Sequence, residues 1–245
     1  MTARPPANHT AETFIERLGA LQSDDELRKI QRYFKTGEGE YGAGDVFIGV
    51  RMGDVFALAK EYIDLSPDEI ERLLESPVHE VRAGACSIMD KQARSKKSSP
   101  ERRQELFDLY LRRIDRIDNW DLVDLAAPYV IGGYLFDKPR DLLYELARSD
   151  NIWERRTALY ATTYFLRQGD ADDAFRLGEL LAHDSHDLIQ KAAGAVLRWG
   201  GQHDEARLLA ILDRDAATMP RTALRTAIEK LTPEQRRHYL GLGRA

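Results

Sequence analysis

The sequence predicts an all-α fold, a superhelical solenoid of helix pairs with one concave binding face. Three observations carry that prediction. Apolar residues recur at spacings of three and four, as in Phe14, Leu18 and Leu21 or Val55, Leu58 and Ala59, and sustained period-two alternation is missing. Helix-start signals recur at short intervals along the whole chain. Four segments then repeat one pattern: VHEVRAGACSIM, NIWERRTALYAT, HDLIQKAAGAVL and TMPRTALRTAIE.

Taken in order, MTARPPANHT has one Arg and no apolar run behind it, so residues 1–10 read as a disordered tail and not as a signal peptide. Residues 11–245 are expected to form a single repeat domain. SDDE at 23, LSPDE at 65, SSPER at 98, DKPRD at 137, SDN at 149, HDSHD at 183, TMP at 218 and LTPEQ at 231 mark turns between short helices. Many place Ser, Asp or Thr at an N-cap, and several add Pro at the first helical position. The stretch TGEGEYGAGDVFIGV, residues 36–50, holds five of the 17 glycines and reads as a loop.

Aligned on their small residues, the repeated segments place Ala83, Arg156, Lys191 and Thr222 in one column. The NWDLVDLAAPYV helix fits between the first two with Asp124 in that column, giving steps of 41, 32, 35 and 31 residues. Such lengths belong to helix-pair repeats, which bury their apolar stripes only by stacking on one another. Column positions are expected to face the concavity.

Composition bounds the function. Hydrophobic residues make up 43% and charged residues 31%, as in a soluble globular chain, and no run reaches the roughly 18 apolar residues of a membrane span. A cytoplasmic address follows by default. The single cysteine, Cys86, lies in AGACSIM and reads as a small buried side chain. The net charge is −5, but residues 1–80 hold 9 Lys or Arg against 16 Asp or Glu, while the remainder holds 27 against 25. Any nucleic-acid contact must therefore come from a local stripe of cations. The six histidines are scattered, HDSHD reads as a capped turn, no glycine-rich phosphate loop follows a strand, and Ser and Cys have no evident base. No metal or organic cofactor is expected.

Trp120 and Asp124 lie four residues apart and share a helical face. Alone, such a pair is ordinary: a core indole and a solvated carboxylate. Its place in the repeat column, with the cations Arg156 and Lys191 at the next two equivalent positions, changes the reading. An aromatic, a carboxylate and cations suit a phosphate-bearing substrate with developing positive charge. Trp153, three residues before Arg156, reads as a core residue that could also form an aromatic wall.

These residues carry a resemblance. YFK followed by FIGVR, WDLVD, SDNIWERR, IQKAAGAVLR and MPRTALRTAIEKL, spanning about Tyr33 to Leu231, resemble the AlkD-type DNA alkylation repair glycosylases, helical-repeat proteins related to HEAT arrays. The resemblance implies release of cationic alkylpurines, such as 3-methyladenine and 7-methylguanine, from duplex DNA; a monomer is expected because nothing in the sequence demands a dimer. It also implies that the base is not drawn into a deep pocket. It assigns Asp124 and Arg156 as the catalytic pair and Trp120 as the motif tryptophan. Asp124 would stabilise the sugar cation and orient water, Trp120 would contact sugar and lesion, and Arg156 would clamp a phosphate and keep Asp124 ionised. Cations for the DNA backbone would be Arg82, Arg155, Lys191, Arg198, Arg221 and Arg225. The run KQARSKKSSPERR is a second basic candidate, or a solvated inter-helix loop.

The chain departs from the family pattern in two places. Ala195 stands where an aromatic wall is common, with Trp199 one turn further on, and VRMGDVF has Gly53 and Phe56 in place of the usual proline and arginine. Two other readings stay open: a catalytically silent relative that binds damaged or branched DNA, and a protein-binding scaffold, since most arrays of this kind bind proteins.

Overall fold

A computed structural model describes residues 9–34, 37, 42 and 44–242. Among these the fold is all-α and built of helical repeats, with one isolated β-bridge, Val46 to Val78. The chain divides into two compact units, residues 1–126 and 127–245, each described by itself.

The first unit holds α1 (Ala11–Gly19), α2 (Asp24–Tyr33), α3 (Met52–Glu61), α4 (Pro67–Leu74), α5 (His79–Arg94) and α6 (Pro100–Arg112). A 3₁₀ turn at Ile114–Arg116 follows, then α7 (Trp120–Ala127), at whose end the boundary falls. Two of the start signals act as their chemistry requires, while Ser23 precedes α2 without a side-chain cap bond. Ser66 caps α4 and Ser99 caps α6, each ahead of a proline in the first turn that has no N–H to leave unpaired. The expected tail lies outside the described residues as far as residue 8. Its last two residues belong to the fold, correcting the reading: Thr10 closes a capping box on α1 and His9 stacks on Tyr62 at 4.4 Å.

Helix α5 is the centre of this unit, packed by α3, α4 and α6 and buried from His79 to Asp90. Its run of Ala83, Gly84, Ala85, Cys86 and Ser87 lets neighbours approach closely. A Cβ on Gly84 would stand 2.4 Å from Phe14 Cζ, so α1 closes over α5 only because that position is glycine. Cys86 is fully buried, and burial pushes its thiol far above the ordinary range.

In the second unit Pro128 withholds one backbone donor, and the chain widens into a π turn over Pro128–Gly132. There follow α8 (Gly133–Leu135), α9 (Asp141–Leu146), α10 (Ile152–Arg167), α11 (Asp172–Leu181), α12 (Asp187–Gly201), α13 (Glu205–Asp215), α14 (Arg221–Ala227) and α15 (Pro233–Gly241). Asn151 caps α10, His186 caps α12 and Thr232 caps α15, so HDSHD is a capped turn. Phe175, Leu197, Leu208, Leu212 and Leu224 share one core cluster.

The repeated segments lie in α5, α10, α12 and α14, and the first three share a device that the spacing did not reveal. A side chain one turn inside the helix reaches back six residues to a carbonyl of its own entry turn. Arg82 Nη1 donates to Ser76 O at 3.1 Å, Arg155 Nη1 to Ser149 O at 2.7 Å and Gln190 Nε2 to Asp184 O at 2.8 Å. Each strut ties the entry turn to the first turns of its helix, and Ser76 O also accepts from Arg116.

Candidate functional site

The motif tryptophan is set by the residue before it. Asn119 is fully buried; its Oδ1 accepts from the Trp120 N–H at 2.8 Å and its Nδ2 donates to Asp45 Oδ2 at 2.7 Å. The first turn of α7 is thereby tied to the loop that enters α3. The half-buried indole stacks on Phe34, with centroids 5.6 Å apart and planes at 21°, and meets the edge of Tyr33 at 5.9 Å. Asp124, one turn along α7, is half-buried.

Behind Trp120 lies a buried ionic cluster. His79, fully buried, donates from Nε2 to Asp121 Oδ2 at 2.8 Å, and its Nδ1 lies 3.7 Å from Asp45 Oδ2. Arg82, 2% exposed, pairs with Asp45 at 2.5 Å and with Asp118 at 3.2 Å. Burial alone would depress the imidazole's pKa, but the hydrogen bond to Asp121 and the nearby charge of Asp45 overcome it and raise the pKa to about 9. Burial likewise works to raise Asp45, but the charge of nearby His79, the hydrogen bond from Asn119 and the charge of Arg82 hold it below the usual carboxylate range. Asp118 moves the other way, pushed up by burial against the pull of Arg82. The imidazolium and guanidinium thus sit among three carboxylates. Glu80, also buried, accepts at Oε1 from the N–H groups of Ile48, Gly49 and Val50 at 3.1, 2.9 and 3.3 Å, which fixes the loop before α3. Gly49 there has φ +79°, a left-handed conformation suited to glycine.

In the second unit Arg156 is 5% exposed. Its Nη1 donates to Leu188 O and its Nη2 to Tyr160 Oη, both at 3.1 Å, and the guanidinium lies 4.7 Å from the centre of the Tyr160 ring. Tyr160 meets Trp199 edge-on at 6.0 Å. Trp199 is therefore part of an aromatic pair on the Arg156 side of the second unit, while Ala195 is 7% exposed and Trp153 is core. Tyr160 had a signal in the sequence, since it lies four residues after Arg156. His79 had none, because its partners are 34 and 42 residues away.

The six candidate backbone cations separate into two kinds. Lys191 and Arg225 are exposed. Arg82 is enclosed as described, and the guanidinium of Arg155 is tied to the Ser149 and Asp150 carbonyls and to Asp184 at 2.7 Å. Arg198 pairs with Glu229 beside Trp199, and Arg221 donates to Leu240 O at 2.9 Å. Arg82 Nη1 donates to two carbonyls and its Nη2 pairs with two carboxylates, so its geometry is that of a strut and not of a phosphate contact. In the basic run, Arg103 bonds the Ala93, Ser95 and Ser98 carbonyls and so holds the inter-helix loop together, leaving Lys96 and Lys97 exposed.

Among the described residues no three His, Cys, Asp or Glu side chains gather as a metal site would need, and no helix is long and apolar enough to cross a membrane. The model of a family described as DNA alkylation repair enzyme matches residues 14–231. A solved structure described as a predicted DNA alkylation repair enzyme from Enterococcus faecalis superposes with a TM-score of 0.67 at 17% identity, covering 86% of this chain and 97% of that one. At that identity the likeness speaks for the fold alone. No curated protein matches.

Proposed function

Because this chain belongs to the DNA alkylation repair enzyme family, we propose that it is a DNA glycosylase, releasing cationic alkylpurines such as 3-methyladenine and 7-methylguanine from duplex DNA. The observation that supports the reading is the pairing of that family match with the retained Trp120 and Asp124, on a helix whose first turn is locked by Asn119.

An alkylated purine already carries a positive charge. When its bond to C1′ breaks, the electron pair leaves with the base and neutralises it, so no acid is needed to protonate the leaving group. The barrier lies in the oxocarbenium-like sugar. Asp124 is proposed to stabilise that charge and to take the proton from the water that adds to C1′, leaving an abasic sugar. Trp120 offers the face of its indole to the cationic sugar and lesion, a contribution of about 0.5–2 kcal/mol. Arg156 is proposed to hold a phosphate flanking the lesion. Lys191 and Arg225, exposed at the surface of the second unit, are proposed to position the DNA backbone.

The test is release of free base from methylated duplex DNA at low salt, with the abasic strand scored as co-product. Asp124→Asn and Arg156→Ala are each expected to lose about 10²–10³ in rate, the scale of removing one preorganised electrostatic group. Ala195 in place of an aromatic wall favours a second reading, a catalytically silent relative that binds damaged or branched DNA. That reading predicts binding indifferent to Asp124→Asn and no release above the spontaneous rate.

A further inference from the structure

Tyr160 lies one turn after Arg156 on α10, on the same helical face, and is half-buried. Its Oη accepts a hydrogen bond from Arg156 Nη2 at 3.1 Å, and the guanidinium lies 4.7 Å from the centre of its ring. We propose that Tyr160 is a positioning residue, which aims the Arg156 guanidinium at the DNA phosphate flanking the lesion. The inference rests on the reading that Arg156 holds that phosphate, and it gives the phenol oxygen a part that the family resemblance does not assign.

Burial makes the aim matter. Arg156 is 5% exposed, so a phosphate meets only a small part of it, and a guanidinium turned away presents no fork to the anion. An unrestrained arginine side chain spreads over many rotamers. Three contacts narrow that choice: the Leu188 carbonyl, in the first turn of α12, accepts from Nη1 at 3.1 Å, the Tyr160 oxygen accepts from Nη2, and the ring lies against the delocalised charge. Two acceptors on the two terminal nitrogens set the plane of the guanidinium, and removing one loosens it. The Tyr160 ring is itself held. It meets Trp199 of α12 edge-on at 6.0 Å, and the Arg198 guanidinium lies 5.5 Å from the centre of the Trp199 ring. Both α10 and α12 thus set the direction of one cation.

The experiment is binding of the native protein and its variants to a duplex with one stable tetrahydrofuran abasic site, measured by fluorescence anisotropy over a series of salt concentrations. Such a duplex keeps its phosphates and needs no chemistry at a base. Arg156→Ala is expected to weaken binding and to reduce the slope of log affinity against log salt by about 1, as loss of one phosphate contact does. Tyr160→Phe keeps the ring and changes no charge. It is nevertheless expected to weaken binding about tenfold, the scale of losing a hydrogen bond to a charged group, and to reduce the slope as Arg156→Ala does. The double variant is expected to bind no more weakly than Arg156→Ala alone. If Arg156→Ala acts on the slope but Tyr160→Phe leaves it unchanged, or if the two losses add, Tyr160 only supports the fold and the proposal is overturned. Binding indifferent to Arg156→Ala, or no binding by the native protein, removes the phosphate contact and the proposal with it. Failure of the glycosylase reading shows separately, as absence of base release from methylated DNA while Tyr160→Phe still lowers the slope.

Discussion

His79 shows how far a single residue's role depends on distant chain. Its pKa, raised from 6.5 to about 9, is a stability statement of on the order of 3 kcal/mol. Because the folded value lies above the unfolded one, this stabilisation is complete below about pH 6.5 and is lost as pH rises through about 9. Asp45, whose pKa is lowered, contributes above its unfolded value and loses that contribution in acid. The thermal midpoint of the native protein is therefore expected to fall between pH 7 and pH 10, and His79→Gln to flatten that fall while lowering the midpoint at pH 7. An equally steep decline in the variant would show that other groups carry it. Asn119→Ala, which removes the cap on Trp120 and a bond to Asp45, is expected to cost about 1–3 kcal/mol in denaturant unfolding. Trp120, Asp124 and Arg156 stand out as candidates in the sequence because a motif and a repeat frame mark them. The neighbours that orient Trp120 do not, since Asp45, His79 and Asn119 meet through the fold and share no local spacing.

At the scale of elements, capping chemistry was the most legible feature. Ser66, Ser99, Asn151 and Thr232 each start the helix that their position predicted. The π turn after α7 was not foreseen, although Pro128 in the run LAAPYVIGG was its visible cause. What the pattern could not show is why that turn ends in glycines. A Cβ on Gly132 would stand 2.1 Å from the Ala161 carbonyl oxygen, a backbone atom that cannot swing aside. Gly132→Ala is accordingly expected to destabilise by about 1–3 kcal/mol through forced separation of the π turn from α10. Unchanged stability by urea titration would mean that this packing is looser than described. The struts from Arg82, Arg155 and Gln190 belong to the same scale. Spacing placed these residues near the start of each inner helix but could not say that their polar ends turn back onto the chain.

For the whole molecule, charge decides how DNA can be held. The first 80 residues are acidic, and four of the six candidate cations are engaged within the protein, so a broad electrostatic grip is not available. Each cation that neutralises a phosphate contributes about −0.9 to the slope of log affinity against log salt. Lys191→Ala and Arg225→Ala are each expected to reduce that slope by about 1 and to weaken binding alike on every sequence. Arg82→Lys should instead lower stability and leave the slope unchanged, because Arg82 is a buried partner of Asp45 and Asp118. The repeat architecture was readable because each helix pair carries its own start signal and apolar stripe. The sorting of cations into struts and surface charges was not, because sequence spacing gives a face and not a partner.

The central claim is that Asp124 acts on the chemical step. Its most direct test is the single-turnover rate of 7-methylguanine release by native protein and by Asp124→Asn, at saturating enzyme, with the affinity of each for the same methylated duplex measured in parallel. The account predicts a rate lower by about 10²–10³ at unchanged affinity. Equal rates in the two proteins, or no release by the native protein despite tight binding, would contradict it.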